Sequence, residues 1–298
     1  MSWADAHGIA MISARQAHED LQVPRDRYID VFAVLQALEI EVVLQDLGPL
    51  LGLYVSEHDS GPACLLNSGL SEIHLRHTLA HELGHHRLQH GTTIDHEATA
   101  TGKWGQGWSA VEKAAEMFAS WFLMPLPAVL AACERIGARP ASACDAYRVA
   151  RWLGTPYATT VRHLAQLKII NRSSMSSWLR AAPAELARQL APDIGLPAGP
   201  HVHLLAPEAH DGDLYAAPGD ILRLGFPGEW DLPAPGFDPP GGAQDGQWLW
   251  AEPAGRDLQV SSDASGSRLL TASCDGQRFC LTVHCTAHRQ GSDAFWAP

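Results

Sequence analysis

The sequence predicts an α+β chain in three parts: a small antiparallel sheet with a long helix behind it, a run of helices, and a β-rich C-terminal region. Three observations predict this. Hydrophobic spacing changes from a period of two to nearly four at Ser71 and stays helical to about Leu88. Helical spacing then governs most of the chain from Ala110 to about residue 190, broken at Pro125 and at Gly154. Beyond Leu196 lysine disappears, proline and glycine become frequent, and short strand-like runs follow. The expected boundaries are 1–130, 131–195 and 196–298.

Each element has a local reason. Ser13 to Leu21 reads as a short amphipathic helix, and Asp30 is a good N-cap for a second one running to Leu38. Ile40 to Leu44 is a β-branched run. Leu51 to Val55 and Ala63 to Leu66 alternate as strands around the turn Asp59-Ser60-Gly61-Pro62. A Gly/Thr/Trp-rich connection from about His90 to Gly107 leads to a helix from Ala110 to Met124. Helices are expected at about 127–137, 141–153, 156–168 and 175–190, with Thr155 as N-cap and Pro156 as first residue of the third. Strands are expected at Val202 to Leu205, Asp220 to Leu224, Trp248 to Trp250 and Phe279 to His284, with Asp275-Gly276 as a hairpin turn.

Composition narrows the function classes. Of 298 residues 46% are hydrophobic and 18% charged, enough apolar surface for a real core and against wholesale disorder. No apolar run reaches the length of a membrane span, and the first residues lack the basic and apolar regions of a secretory signal. Six cysteines without a tight framework read as thiols of a reducing compartment, so the expected location is the cytoplasm. The net charge of −12 opposes a large duplex-DNA footprint. Yet residues 131–195 hold nine Lys/Arg against four Asp/Glu, a net +5, which fits either a docking surface for nucleic acid or an acidic partner, or simply solvated helix faces.

The chemistry sits in His81-Glu82-Leu83-Gly84-His85. On a helix, residues four apart share a face, so both imidazoles can present a nitrogen to one ion with a carboxylate beside them. This HExxH spacing suits two neutral histidine ligands for Zn2+ and a glutamate, Glu82, that handles the proton of an attacking water. Gly84 costs the helix about 1 kcal/mol against alanine, which implies close approach by another element. A third ligand should come from a neighbouring helix. Glu112 and Glu116 lie one turn apart there: Glu112 would ligate, and Glu116 would accept the second N–H of a ligating histidine. Ser109-x-x-Glu112 is equally a capping-box pattern, in which Glu112 would serve only the helix start.

Residues from about 13 to 170 resemble the ImmA/IrrE family of metallopeptidases. The matching stretches are Leu51-Gly52-Leu53-Tyr54 with Leu65-Leu66-Asn67, then Arg76-His77-Thr78-Leu79-Ala80 leading into His81–His85, then Glu112 through Phe118-Ala119 to Leu123-Met124-Pro125. The resemblance implies a zincin-like fold, with His81, His85 and Glu112 as ligands of one Zn2+ (Mn2+ being an alternative in the cell) and Glu82 as general base. Family members commonly show Glu-Ala-Asn or Glu-Ala-Asp where this chain has Ala114-Ala115-Glu116, so Glu116 departs from the pattern. It also implies an intracellular protease whose substrate is a helix-turn-helix repressor of the XRE type, cut to derepress stress-response, mobile-element or defence genes. A sensory or regulatory role for residues 196–298 would fit such a protein.

Other expectations follow. Tyr54, on a strand bordering the cleft, reads either as an ordinary half-buried strand tyrosine or as a group that binds substrate or stabilises the oxyanion, and the substrate would lie along a sheet edge near Leu51 to Val55. His90 or His96 could add a fourth ligand, while His74 and His77 would be buried or lie behind the ligands. The step Trp152-Leu153-Gly154-Thr155-Pro156 looks like a helix-turn-helix and keeps a DNA-binding reading open. Cys274, Cys280 and Cys285 are expected as small core thiols, the last two on opposite strand faces. The competing functional class is a non-proteolytic DNA- or protein-binding regulator whose zinc is structural.

Overall fold

In the computed structural model, residues 2–59, 61–96, 107–193, 201–225, 249–251, 257–261, 264, 266–274 and 277–285 are described. The chain divides into two units, Met1–Ala128 and Val129–Ala287. Among the described residues no single helix is long and apolar enough to cross a membrane.

In the first unit, helix α1 (Trp3–Asp20) begins ten residues before the expected Ser13. Ser2 starts it with a reciprocal cap, its hydroxyl accepting from Asp5 N (3.2 Å) and its own N–H donating to the Asp5 carboxylate (3.0 Å). Ala6, Ala10, Ala14 and Ala17 form one buried face. Small side chains there let α1 lie close to helix α4 (Ala110–Leu123), and His18 Nε2 donates to the Phe122 carbonyl at 3.0 Å. Helix α2 (Val31–Ala37) carries the expected Asp30 cap, which accepts from Ala33 N.

Strands β1 (Glu41–Gln45), β2 (Leu50–Val55), β3 (Ala63–Asn67) and β4 (Thr93–His96) form one sheet in the order β1-β3-β2-β4. It is mixed, not antiparallel as expected, because β1 pairs with β3 in parallel. Strand β4 lies in what reads as an irregular connection and pairs with β2. Consequently β2 is flanked on both sides and is not an edge; among the described residues the edges are β1 and β4. Helix α3 (Glu72–Arg87) packs across β2 and β3. Its Gly84 meets α4 as the sequence implied: a Cβ there would sit 3.1 Å from Ala115 Cα and Ala115 O. That close crossing brings Glu112 of α4 to the histidine face of α3.

The division falls within helix α5 (Leu126–Arg135), and the second unit holds the rest of it with helices α6 (Ala143–Leu153), α7 (Tyr157–Gln166), α8 (Arg172–Trp178) and α9 (Pro183–Leu190). The single helix expected over 175–190 is two, because Pro183 cannot continue a helix but opens one well. Gly154 closes α6 in the left-handed conformation (φ +58°), and Pro156, not Thr155, occupies the cap of α7; the Thr155 hydroxyl instead bonds the Thr160 hydroxyl at 2.7 Å. Helix α7 is largely buried, and only Ala158, Arg162, Ala165 and Gln166 keep partial exposure, which leaves a narrow face for reading a DNA groove. The basic character of 131–195 is also partly internal. Arg135 and Arg139 bind backbone carbonyls, Arg148 reaches Ile136 O, and Arg151 is buried with Nη2 on Thr155 O.

Strands β5 (Val202–Leu205), β7 (Ile221–Leu224), β8 (Leu249–Ala251) and β9 (Asp257–Val260) form one sheet in the order β5-β7-β9-β8; β6 (Gly212–Ala216), β10 (Gly266–Cys274) and β11 (Gln277–Cys285) form another, ordered β10-β11-β6. Arg223 and Asp257 pair across β7 and β9 through two bonds of 2.6 and 2.8 Å. Strands β6, β9 and β10 were not expected. Trp248 and Asp275-Gly276 lie outside the described residues.

Candidate metal centre

The helix period of α3 places His81 and His85 one turn apart, and the Gly84–Ala115 contact sets Glu112 against them. His81 Nε2 lies 3.0 Å from His85 Nε2 and 3.1 Å from Glu112 Oε2, and His85 Nε2 lies 3.7 Å from the same oxygen. A tetrahedral ion with bonds of about 2.0 Å holds its ligand atoms roughly 3.3 Å apart, so these three spacings bracket the value. All three atoms fall within 4.8 Å of one another, and the trio could hold a metal ion. His85 is fully buried and His81 nearly so. Electron-pair donors converging at such a buried point repel one another without a proton or cation between them. Nitrogen and carboxylate donors in this number fit a metallopeptidase centre with room for water.

The backbone and the carboxylate of Glu112 face different partners. Its backbone N–H donates to Ser109 Oγ at 3.2 Å, the start of a helix cap, while its carboxylate lies on the histidines. Glu116 sits one turn on, buried, with His77 Nε2 donating to its Oε2 at 3.1 Å, while His81 Nδ1 lies 3.6 Å from the same oxygen. The shorter partner is thus His77, not the ligand-position histidine. Burial alone would raise the Glu116 pKa, but the charge and hydrogen bond of His77, with His81 beside them, hold it well below the usual carboxylate range.

Glu82 faces the sheet. It is fully buried, and a Cβ on Gly52 of β2 would come within 2.6 Å of its Oε1 and 2.8 Å of Thr78 Cγ2. The missing side chain at Gly52 is therefore the space the carboxylate occupies. Cys64, on the neighbouring β3, has its pKa raised well above 9.0 by burial and then by the charge of Glu82, which leaves it a protonated packing group.

The structure bears on the alternatives for several neighbours. Tyr54 is buried at 2% exposure, its hydroxyl shares a 2.9 Å hydrogen bond with His86 Nδ1, and its ring lies nearly parallel to that of His85. A tyrosine so enclosed is a packing partner of α3, not a group turned to substrate. His90 is not part of the ligand trio: its Nδ1 lies 2.9 Å from His85 Nδ1, on the far side of that ring. Burial, and then the neighbouring His85, push the His90 pKa down to about 4. The His96 side chain lies outside the described residues. His77 lies behind the ligands as one sequence reading had it, whereas Gly52 had no reading as a cradle; only its place between apolar residues of a strand signalled a close approach.

A second cluster, His210, Asp211 and Cys280, has ligand-type atoms within 4.8 Å of one another. There His210 Nδ1 accepts from Cys280 N at 3.0 Å, so a neutral ring carries its proton on Nε2 and turns it to Asp211 Oδ2, 3.3 Å away. That ring has no lone pair left for an ion. Cys280 is half-buried and not a core thiol, Cys285 is buried, and the alternation of β11 separates them. The Cys274 side chain and His288 lie outside the described residues.

A sheet backed by a helix that presents two histidines one turn apart, with a glutamate supplied by a crossing helix, defines a peptidase domain of the metal-dependent type. Residues 35–150 match the family model Peptidase_M78, described as an IrrE N-terminal-like domain. The chain thereby carries an ImmA/IrrE-family domain, as its motifs implied. No curated protein is a significant match to it.

Proposed function

We propose that this chain is a cytoplasmic zinc endopeptidase that cuts a helix-turn-helix repressor of the XRE type. The observation that carries the reading is the convergence of His81 Nε2, His85 Nε2 and Glu112 Oε2 beside a buried Glu82. Two imidazoles and one carboxylate are a donor set that favours zinc, whereas manganese prefers more oxygen. Bound zinc would supply Lewis acidity, lowering the pKa of water toward about 7 and polarising the scissile carbonyl. Glu82, fixed between α3 and the gap at Gly52, takes the proton of the attacking water and returns it to the leaving amine. A purely structural metal would have no use for a carboxylate in that position.

Because β2 is covered by β4, the edges of the sheet among the described residues are β1 and β4, and the extended substrate would pair with β4, the edge next to β2, along which Ile94 is exposed. A helical repressor must open a segment, or offer a linker, to pair there. Basic residues available for docking it are Lys168, Arg172 and Arg180, all exposed; the inward turn of Arg148 and Arg151 weakens a direct DNA-binding role.

The test is co-expression of the XRE-type protein encoded beside this gene with wild type, Glu82→Gln and Glu112→Ala. Wild type should shorten the repressor. Glu82→Gln should keep about one zinc per chain and leave the repressor whole, and Glu112→Ala should lose metal and cleavage together. An intact repressor with wild type under every inducing condition, or equal loss with all three, would replace the protease by a metal-stabilised regulator.

A further inference from the structure

The end of α3 turns back on the metal centre. Leu88 caps the helix, Gln89 follows in the left-handed conformation (φ +55°), and two backbone bonds close the turn: Gln89 N to His86 O at 3.1 Å and His90 N to His85 O at 2.9 Å. This is the six-to-one and five-to-two pattern of a Schellman cap, which brings the residue two beyond the cap onto the residue three before it. In this chain those residues are His90 and His85. Where such caps commonly place an apolar contact, here the two Nδ1 atoms meet at 2.9 Å with ring centroids 5.0 Å apart.

A contact of that length between two ring nitrogens needs one proton in it. Resting on the reading that His85 Nε2 is a metal ligand, the proton of the neutral His85 ring must sit on Nδ1, and His90 must accept it. We propose that His90 is a positioning residue: the C-terminal turn of α3 presents its ring as the acceptor that fixes the tautomer and rotation of His85, turning the Nε2 lone pair to the metal. His81 is held differently, with the Glu116 carboxylate facing its Nδ1. The two ligand histidines are therefore backed by unlike groups, a carboxylate and a neutral imidazole, and His85 depends on a residue supplied by its own helix end.

The experiment measures zinc affinity of the full chain by competition with a chromophoric chelator, for wild type, His85→Ala, His90→Ala and His90→Asn. Asparagine places its Oδ1 near the position of the histidine Nδ1 and retains an acceptor. His90→Ala should weaken binding about 10- to 100-fold, and His90→Asn should recover most of that loss; far-UV circular dichroism should be the same for both. Wild-type affinity in His90→Ala overturns the proposal. So does equal weakness of His90→Asn and His90→Ala, which would mean that packing of the cap, not the acceptor, matters. Wild-type affinity in His85→Ala would instead remove the metal-centre reading, and the positioning role with it.

Discussion

Replacing Gly52 by alanine puts the cradle of Glu82 to the test. The added Cβ would stand 2.6 Å from Glu82 Oε1, 2.8 Å from Thr78 Cγ2 and 3.3 Å from Leu65 O. Strand β2 is bonded on both sides, to β3 and β4, so it has little freedom to retreat. The Gly52 φ is not left-handed, so alanine suits the backbone and recovers about 0.5–1 kcal/mol of the entropic cost of glycine in a strand. Against that stands an overpacking cost of about 1–3 kcal/mol. The net loss in urea unfolding should therefore be small, about 0–2 kcal/mol. The carboxylate end of Glu82 is what can yield, and a displaced general base costs about 10²- to 10⁴-fold in rate. Purified Gly52→Ala should keep its zinc, since His81, His85 and Glu112 are untouched, while repressor cleavage falls by at least about 10²-fold. Adding Thr78→Ser, which removes the second clash, should restore stability without restoring the rate. Wild-type cleavage by Gly52→Ala would refute the view that this gap sets the position of Glu82.

Two further outcomes are expected. Gln89→Gly should stabilise the first unit by up to about 1 kcal/mol in urea unfolding, because glycine adopts the left-handed cap without strain; destabilisation would mean that the Gln89 side chain makes the cap. Asp220 is buried and accepts from His203 Nε2 (2.9 Å), His201 N (2.9 Å) and Ala217 N (3.0 Å). Burial raises its pKa, yet these bonds and the histidine charges outweigh burial and leave it lowered from 3.8. A carboxylate lowered on folding stabilises above its unfolded pKa and loses that contribution as pH falls through the folded one. Unfolding free energy should therefore drop more steeply between pH 4 and 2 in wild type than in Asp220→Asn; parallel profiles would refute the assignment.

How far the fold was legible follows from the range of the forces involved. Asp30, Ser71, Pro125 and Gly154 mark element ends through local chemistry, and the structure follows them. Helix α1 escaped notice over its first ten residues because its buried face is alanine, whose weak hydrophobicity gives little periodic signal. Strand β4 is four residues long, too short to show alternation, and exists because β2 offers an open side. The parallel pairing of β1 with β3 joins residues 22 apart, such as Glu41 and Ala63, which no local pattern encodes. Pro183 was the exception: its break of the last helix could be read directly, and the pattern around it concealed it.

The site was legible where one helix builds it and obscure where a second element does. Four-residue spacing alone aligns His81 with His85, so the pair is fixed as soon as α3 is a helix. Glu112 needed more: Ser109 caps its backbone, and only the Gly84–Ala115 crossing decides where its carboxylate goes. The positive charge of 131–195 misleads for the same reason, since a count of arginines cannot tell Arg151, buried against Thr155 O, from exposed Arg172. His90 lies deepest in this order. Its aim at His85 is set by a left-handed residue that is glutamine and not the glycine by which such caps are usually recognised. A helix motif thus specifies the ligands, whereas the groups behind them come from the caps and crossings that only the folded chain assembles.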